Sequence, residues 1–207
     1  MNLTLDFTSY NFILACGVFV FIYYLIPHKA KWIYLLLASA CIYTLTAPVC
    51  ALFLLATITV TYISGLLIEI SKGKGARTLA MLLPLLFDIA LLVYAKYTGF
   101  LLEIFSEITG SLSEGKAIAV FVPMGVSFYT FQSLAYILDV YKSKIKPEKN
   151  YFKFMLFISY FPQLIQGPIS RFDDLSHELF KEHHFDSKEF AFGAQRVLFG
   201  YFKKLVI

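Results

Sequence analysis

Long apolar runs without charge, separated by short basic or acidic stretches, set the pattern of this chain. Roughly 20 apolar residues cross a hydrocarbon layer as a helix, and charges inside such a run are rare. The first run goes from Phe7 to Pro27 and the next from Trp32 to Ile68. The second is too long for one span. Thr46-Ala47-Pro48 divides it, because proline lacks an amide donor and disfavours helix in the residue before it. Spans are therefore predicted over residues 32–46 and 48–68. A fourth covers Thr78–Tyr94 and contains Asp88; a fifth covers Ile118–Leu138 after a polar stretch holding Gly110 and Gly115; a sixth covers Tyr151–Ile165. Residues 98–117 look like an interfacial continuation of the fourth helix. An amphipathic piece is predicted at 172–184, with Phe172, Leu175 and Leu179 on one face and acids on the other, as suits a helix lying in a membrane interface. A last apolar helix begins near Ser187 and is still running at Ile207. The predicted fold is all-α, a polytopic transmembrane helical bundle of six to seven spans with re-entrant or broken helices.

Composition strengthens the membrane reading. Hydrophobic residues make up 58% of the 207 and charged residues only 15%, with a mean hydropathy of +0.69. A soluble domain averages about 25% charged residues, so the apolar excess here must face lipid. The net charge of +4 is dealt out between apolar runs, not clustered on one face as nucleic-acid binding requires. Loops 28–31, 69–77 and 139–150 hold Lys29, Lys31, Lys72, Lys74, Arg77, Lys142, Lys144, Lys146 and Lys149. The alternate side holds Asp6, Glu103, Glu107, Glu114, Asp173, Asp174, Glu178 and Glu182. Because basic loops stay cytoplasmic, the pattern predicts a multi-pass protein of the cytoplasmic membrane with its N-terminus outside. Residues 1–6 lack Lys and Arg, so no cleavable signal peptide is expected. Cys16, Cys41 and Cys50 lie in apolar runs without metal-ligand spacing, and no metal site is expected.

Candidate chemistry concentrates in the fifth and sixth runs. Gly125, Tyr129, Gln132, Tyr136 and Asp139 fall on one helical stripe, with Phe128, Phe131, Ala135 and Leu138 opposite. A polar stripe in lipid must face the bundle interior or a water-filled cavity, so it serves either as helix–helix glue or as cavity lining. Pro123 and Gly125 suggest a kinked or unwound start to that helix. The sixth run ends Phe161-Pro162-Gln163-Leu164-Ile165-Gln166-Gly167-Pro168, an irregular segment tolerated only where protein buries it or it lines a cavity. Ser127, Tyr129, Gln132, Tyr136, Asp139, Gln163, Gln166 and Arg171 are the candidate cavity or substrate-path residues. Arg171 could instead anchor to headgroups or pair with Asp173 or Asp174. Asp88 is either a functional intramembrane carboxylate or a hydrogen-bonded helix contact. His28, His177, His183 and His184 all lie at predicted interfaces, away from the stripe, so no catalytic group is expected among them.

Two long segments carry a family resemblance. Pro123-Met124-Gly125-Val126-Ser127-Phe128-Tyr129-Thr130-Phe131-Gln132 followed by Tyr136-Ile137-Leu138-Asp139-Val140-Tyr141, and Phe161 to Phe172, closely resemble signatures of the membrane-bound O-acyltransferases. They look most like the branch that O-acetylates alginate, other cell-surface polysaccharides or peptidoglycan. Leu198-Phe199-Gly200-Tyr201-Phe202-Lys203-Lys204 and Tyr94-Ala95-Lys96-Tyr97 also look like the family. The resemblance implies that residues 1–207 are the N-terminal part of such an acyltransferase domain, a ring of tilted helices around a funnel. It implies an acyl thioester such as acetyl-CoA as donor, with no bound cofactor. Its implied partners are the lipid bilayer, an extracytoplasmic acyltransferase protein and a polysaccharide acceptor. It places the essential histidine in a Trp-His-x-Ser-like segment beyond Ile207, so no catalytic residue is expected here. The rival readings are a transporter or flippase fragment, which broken helices and Asp88 also fit, and a non-catalytic membrane scaffold.

Overall fold

The computed structural model describes residues 10–46, 48–109 and 125–206, and among these no strand occurs. The helices are α1 (Tyr10–Leu25), α2 (His28–Thr46), α3 (Pro48–Ile70), α4 (Lys74–Thr109), α5 (Val126–Tyr141), α6 (Tyr151–Ser159), α7 (Phe161–Gln166), α8 (Phe172–Phe180) and α9 (Ser187–Val206). Their order follows the predicted one. Pro27 lies in the non-helical joint between α1 and α2, and Pro48 opens α3, the position where its missing N–H costs nothing. α4 runs on through the predicted fourth span to Thr109, with Pro84 inside it. Residues 110–117, and the start of the predicted fifth span at 118–124 with Pro123, lie outside the described residues. Two stretches, Cys50–Ile70 in α3 and Lys74–Thr98 in α4, are by length and composition apolar enough to cross a membrane, and a shorter apolar helix covers Phe12–Leu25.

The chain divides into two compact units. In the larger, Leu35–Leu179, α3, α4 and α5 pack on one another and α6 and α7 lean on them. Its core joins Leu54, Ile58 and Ile68 of α3, Leu91 of α4, Tyr129, Tyr136 and Ile137 of α5, and Phe154 and Phe157 of α6. Asn150 caps α6, its side chain accepting from the amides of Phe152 (3.0 Å) and Lys153 (3.2 Å).

Within this unit the predicted sixth span is broken and folds back along α5. Tyr136, near the C-terminal end of α5, accepts a hydrogen bond at its hydroxyl from the Glu148 amide (3.0 Å) and packs its ring at a tilt against Phe154 (4.7 Å between centroids). The chain then climbs α5: Leu164 meets Gly125, at the other end of that helix. Eight residues later Phe172 is back against Tyr136 (5.2 Å) and Phe157 (4.9 Å). The eleven residues from Gly125 to Tyr136 span about 16 Å of helix, covered first upward by α6 and α7 and then downward by residues 167–171. The segment is a hairpin that leaves and returns at one level. Its break follows from Pro162, which disfavours helix just before it; Tyr160 accordingly takes φ −58°, ψ 107°.

The smaller unit holds the described residues up to Tyr34 and those from Phe180 onward. Tyr34 stacks on Phe19 (4.9 Å) and donates its hydroxyl hydrogen bond to the Phe19 carbonyl (3.1 Å). The Lys31 ammonium, buried, donates to the His183 carbonyl (2.7 Å) and lies over the rings of Tyr23 (4.9 Å) and Tyr24 (5.3 Å). His28 Nε2 sits 3.4 Å from the Glu182 carboxylate. Two corrections follow. The predicted amphipathic helix over 172–184 ends at Phe180, because 181–186 is drawn into contacts with α2 and supplies Asp186, whose carboxylate caps α9 at Lys188 N (2.7 Å). The acids placed opposite the basic loop 28–31 include Glu182, which instead touches it.

Candidate functional site

The candidate site surrounds the break between α6 and α7. With Tyr160 out of helical geometry, the hydrogen bond that would run from the Phe161 amide to the Phe157 carbonyl is missing. Both orphaned groups need partners. Ser39 of α2 accepts from the Phe161 amide (3.2 Å), and the Gln132 side-chain nitrogen of α5 donates to the Phe157 carbonyl (3.1 Å). Two neighbouring helices thus repair one broken turn in the core.

The α5 stripe faces inward as its spacing predicts. Tyr129, Gln132 and Tyr136 are buried, whereas Phe131 and Leu138 opposite are exposed. Much of its polar capacity is spent on protein. Gln132 holds Phe157, Tyr136 holds Glu148, and Asp139, half-buried, pairs with Lys144 at 3.6 Å. Ser127 is half-buried at the start of the helix. Of the candidate residues predicted from the sequence, two have unspent capacity among the described residues: the Tyr129 hydroxyl and Gln163 Oε1 are buried without a partner, as are Thr130 Oγ1 on the same helix and Asp88 Oδ1 on α4. Gln163 reaches Ser170 (2.7 Å) through its nitrogen, leaving its carbonyl oxygen as an acceptor. A buried polar atom with no partner costs about 1–3 kcal/mol, so each needs an explanation beyond packing.

The remaining expectations fare differently. The Gln166 backbone ends α7, but its side chain lies outside the described residues. Arg171 is exposed, and among the described residues no ion pair joins it to Asp173 or Asp174. His177 lies 3.5 Å from Glu178 on an exposed face. Sequence reasoning missed Ser39, Ser133 and Thr61. Ser39 carries no local signal. Thr61 had one, for Thr57, Thr61 and Ser64 recur at i, i+4 and i+7 on α3, a second polar stripe.

The double role of Gln132 gives a direct test. Gln132→Leu leaves the Phe157 carbonyl buried and unpaired, which costs about 1–3 kcal/mol and lowers the thermal unfolding midpoint of the detergent-solubilised protein. An unchanged midpoint would remove Gln132 from the repair of the break.

These inward polar groups on a broken, apolar-walled bundle define a membrane protein with an internal polar site. No family model matches the chain, and no solved structure does. Curated relatives do. The chain is 36% identical to the probable alginate O-acetylase AlgI of Pseudomonas aeruginosa, over 92% of this chain and 37% of that protein. It is 34% identical to the AlgI of Azotobacter vinelandii over 92% and 38%, and 28% identical to the peptidoglycan O-acetyltransferase of Helicobacter pylori over 84% and 38%. The resemblance to the membrane-bound O-acyltransferases, in the branch that O-acetylates polysaccharides, is thereby shown. The chain spans less than two fifths of the length of these relatives.

Proposed function

We propose that this chain is part of a membrane-bound O-acyltransferase that O-acetylates an exported cell-surface polymer, an alginate-like polysaccharide or peptidoglycan. The observation that carries the reading is the pair of buried, unspent polar groups, Tyr129 OH and Gln163 Oε1, beside a helix break inside the segments most like the family's signatures. The relatives named for alginate and for peptidoglycan O-acetylation support it. An acyl group leaves a thioester donor such as acetyl-CoA and reaches a hydroxyl of the acceptor or of an extracytoplasmic partner protein. On this reading the Tyr129 hydroxyl donates to the acyl carbonyl oxygen, and Gln163 Oε1 accepts from an amide or hydroxyl of donor or acceptor; the burial of both atoms without a protein partner supports it. The dry wall of α3, α5 and α6 keeps water from the thioester. The essential proton-transfer group is the histidine of the Trp-His-x-Ser-like segment that the family resemblance places outside these residues. Acetylation of a surface polymer by cells expressing the full-length protein, and its loss on deletion, tests the proposal; an unmodified polymer with the protein present in the membrane refutes it.

The same reading includes a topology. α1 to α5 cross the membrane five times with the N-terminus outside, α6 and α7 form a re-entrant hairpin, and α8 lies in the cytoplasmic interface. Five crossings put loops 28–31, 69–77 and 139–150 in the cytoplasm, in keeping with their lysines and arginines. They also put Glu182 on the side of His28, in keeping with the contact between them. Six crossings would separate that pair. Single cysteines at Lys29 and Glu182 are expected to react alike with an impermeant maleimide, protected in intact cells and labelled in inverted vesicles. Opposite labelling of the two would restore the sixth crossing.

A further inference from the structure

Asp88 takes no part in the site described above, yet it is the most completely buried charged side chain of the larger unit. It lies on α4, and its Oδ2 accepts a hydrogen bond from Ser133 Oγ on α5 at 2.5 Å. Ser133 is joined in turn to Thr61 Oγ1 on α3 at 2.7 Å. All three residues have essentially no exposed surface. One chain of hydrogen bonds therefore ties the three long helices together at a single height.

That height matters for the acyl path. On a helix Ser133 stands about 40° from Tyr129, one turn away, and about 100° from Gln132. Fixing the azimuth of Ser133 therefore fixes where the Tyr129 hydroxyl points and whether Gln132 reaches the Phe157 carbonyl. Elsewhere α5 is held toward α6 by Gln132 and to the Glu148 amide by Tyr136, and at its C-terminal end Tyr141 meets Thr78 of α4 (3.0 Å), so the Asp88–Ser133–Thr61 chain is its polar tie to α3 and α4 in mid-helix. A buried hydrogen bond is lost outright when its helix turns. We propose that Asp88 is a positioning residue: through Ser133 and Thr61 it sets the rotation of α5 and so aims Tyr129 into the path and Gln132 at the Phe157 carbonyl. This rests on the acyltransferase reading of that path.

The requirement is for a two-oxygen or oxygen-and-nitrogen group that accepts from Ser133, not for a reacting carboxyl. In the full-length protein Asp88→Leu is expected to lower polymer acetylation at least tenfold. Asp88→Asn, whose carbonyl oxygen still accepts from Ser133, is expected to stay within about threefold of wild type. An Asp88→Asn protein as inactive as Asp88→Leu, at equal membrane abundance, overturns the proposal. A second readout needs no acyl transfer. Ile137, one turn beyond Ser133, is fully buried, and its neighbour Leu138 is exposed. Ile137→Cys should resist a membrane-permeant maleimide when residue 88 is Asp or Asn and react several-fold faster when it is Leu, while Leu138→Cys reacts in all three. Equal protection of Ile137→Cys in every background overturns the positioning role. Should the wild-type protein transfer no acyl group at all, the acyltransferase reading fails, and the labelling pattern alone decides whether Asp88 sets the rotation of α5.

Discussion

Gly125→Ala in the full-length protein is expected to abolish acyl transfer and to cut the yield of folded protein several-fold. Gly125 precedes α5 with φ +75° and ψ 8°, left-handed geometry that costs other residues about 1–3 kcal/mol. A Cβ there would also collide with the backbone carbonyl oxygen of Leu164 and with its side chain. A carbonyl within a short helix cannot swing aside as a flexible side chain tip does. The substitution must therefore push α7 away from the start of α5, and with it Gln163, the residue before Leu164. Yield in detergent, thermal midpoint and acetylation together measure the effect. A Gly125→Ala protein with wild-type midpoint and activity would show that α7 does not rest against the start of α5.

Tyr129→Phe is expected to separate stability from activity. The hydroxyl is buried with no partner, and removing an unsatisfied polar group from a core is neutral or stabilising, by up to about 1–3 kcal/mol. If the hydroxyl donates to the acyl carbonyl as charge develops on its oxygen, its removal lowers transfer by roughly 10- to 100-fold, somewhat below the usual loss for one oxyanion donor. The expected protein is thus at least as stable as wild type and much less active. Full activity would exclude a substrate role for Tyr129. A clear fall in the unfolding midpoint would mean that the hydroxyl serves the fold. Gln163→Leu tests the second unpartnered group but is less clean, because it also removes the bond to Ser170.

The contrast between Gln132 and Tyr129 shows why the stripe on α5 could be seen in advance but its members could not be ranked. Period-3.6 spacing placed both on one inward face, and both are buried. Which one has a partner depends on a carbonyl of α6 left open by a break 28 residues further along the chain, where Tyr160 leaves helical geometry ahead of Pro162. Spacing within one helix carries no information about orphaned groups on another.

Local chemistry determined a good deal by itself. The absence of charge over long runs required helices that face lipid, since unsatisfied backbone is too costly there for other structures. Proline placed the end of α1, the start of α3 and the break before α7, because it lacks a donor and constrains its predecessor. Two signature segments carried the family resemblance. Tertiary structure decided the rest. Charge alternation counted six crossings because it registers only the sign of each loop. The return of Phe172 to Tyr136 shows that the sixth apolar run folds back along α5. Ser133, the partner of Asp88, likewise lies 45 residues away on another helix, and Thr61, which Ser133 meets in turn, lies 27 residues before Asp88 on a third. Long-range pairing of polar groups is set by helix rotation and height, and those are fixed only when the helices pack.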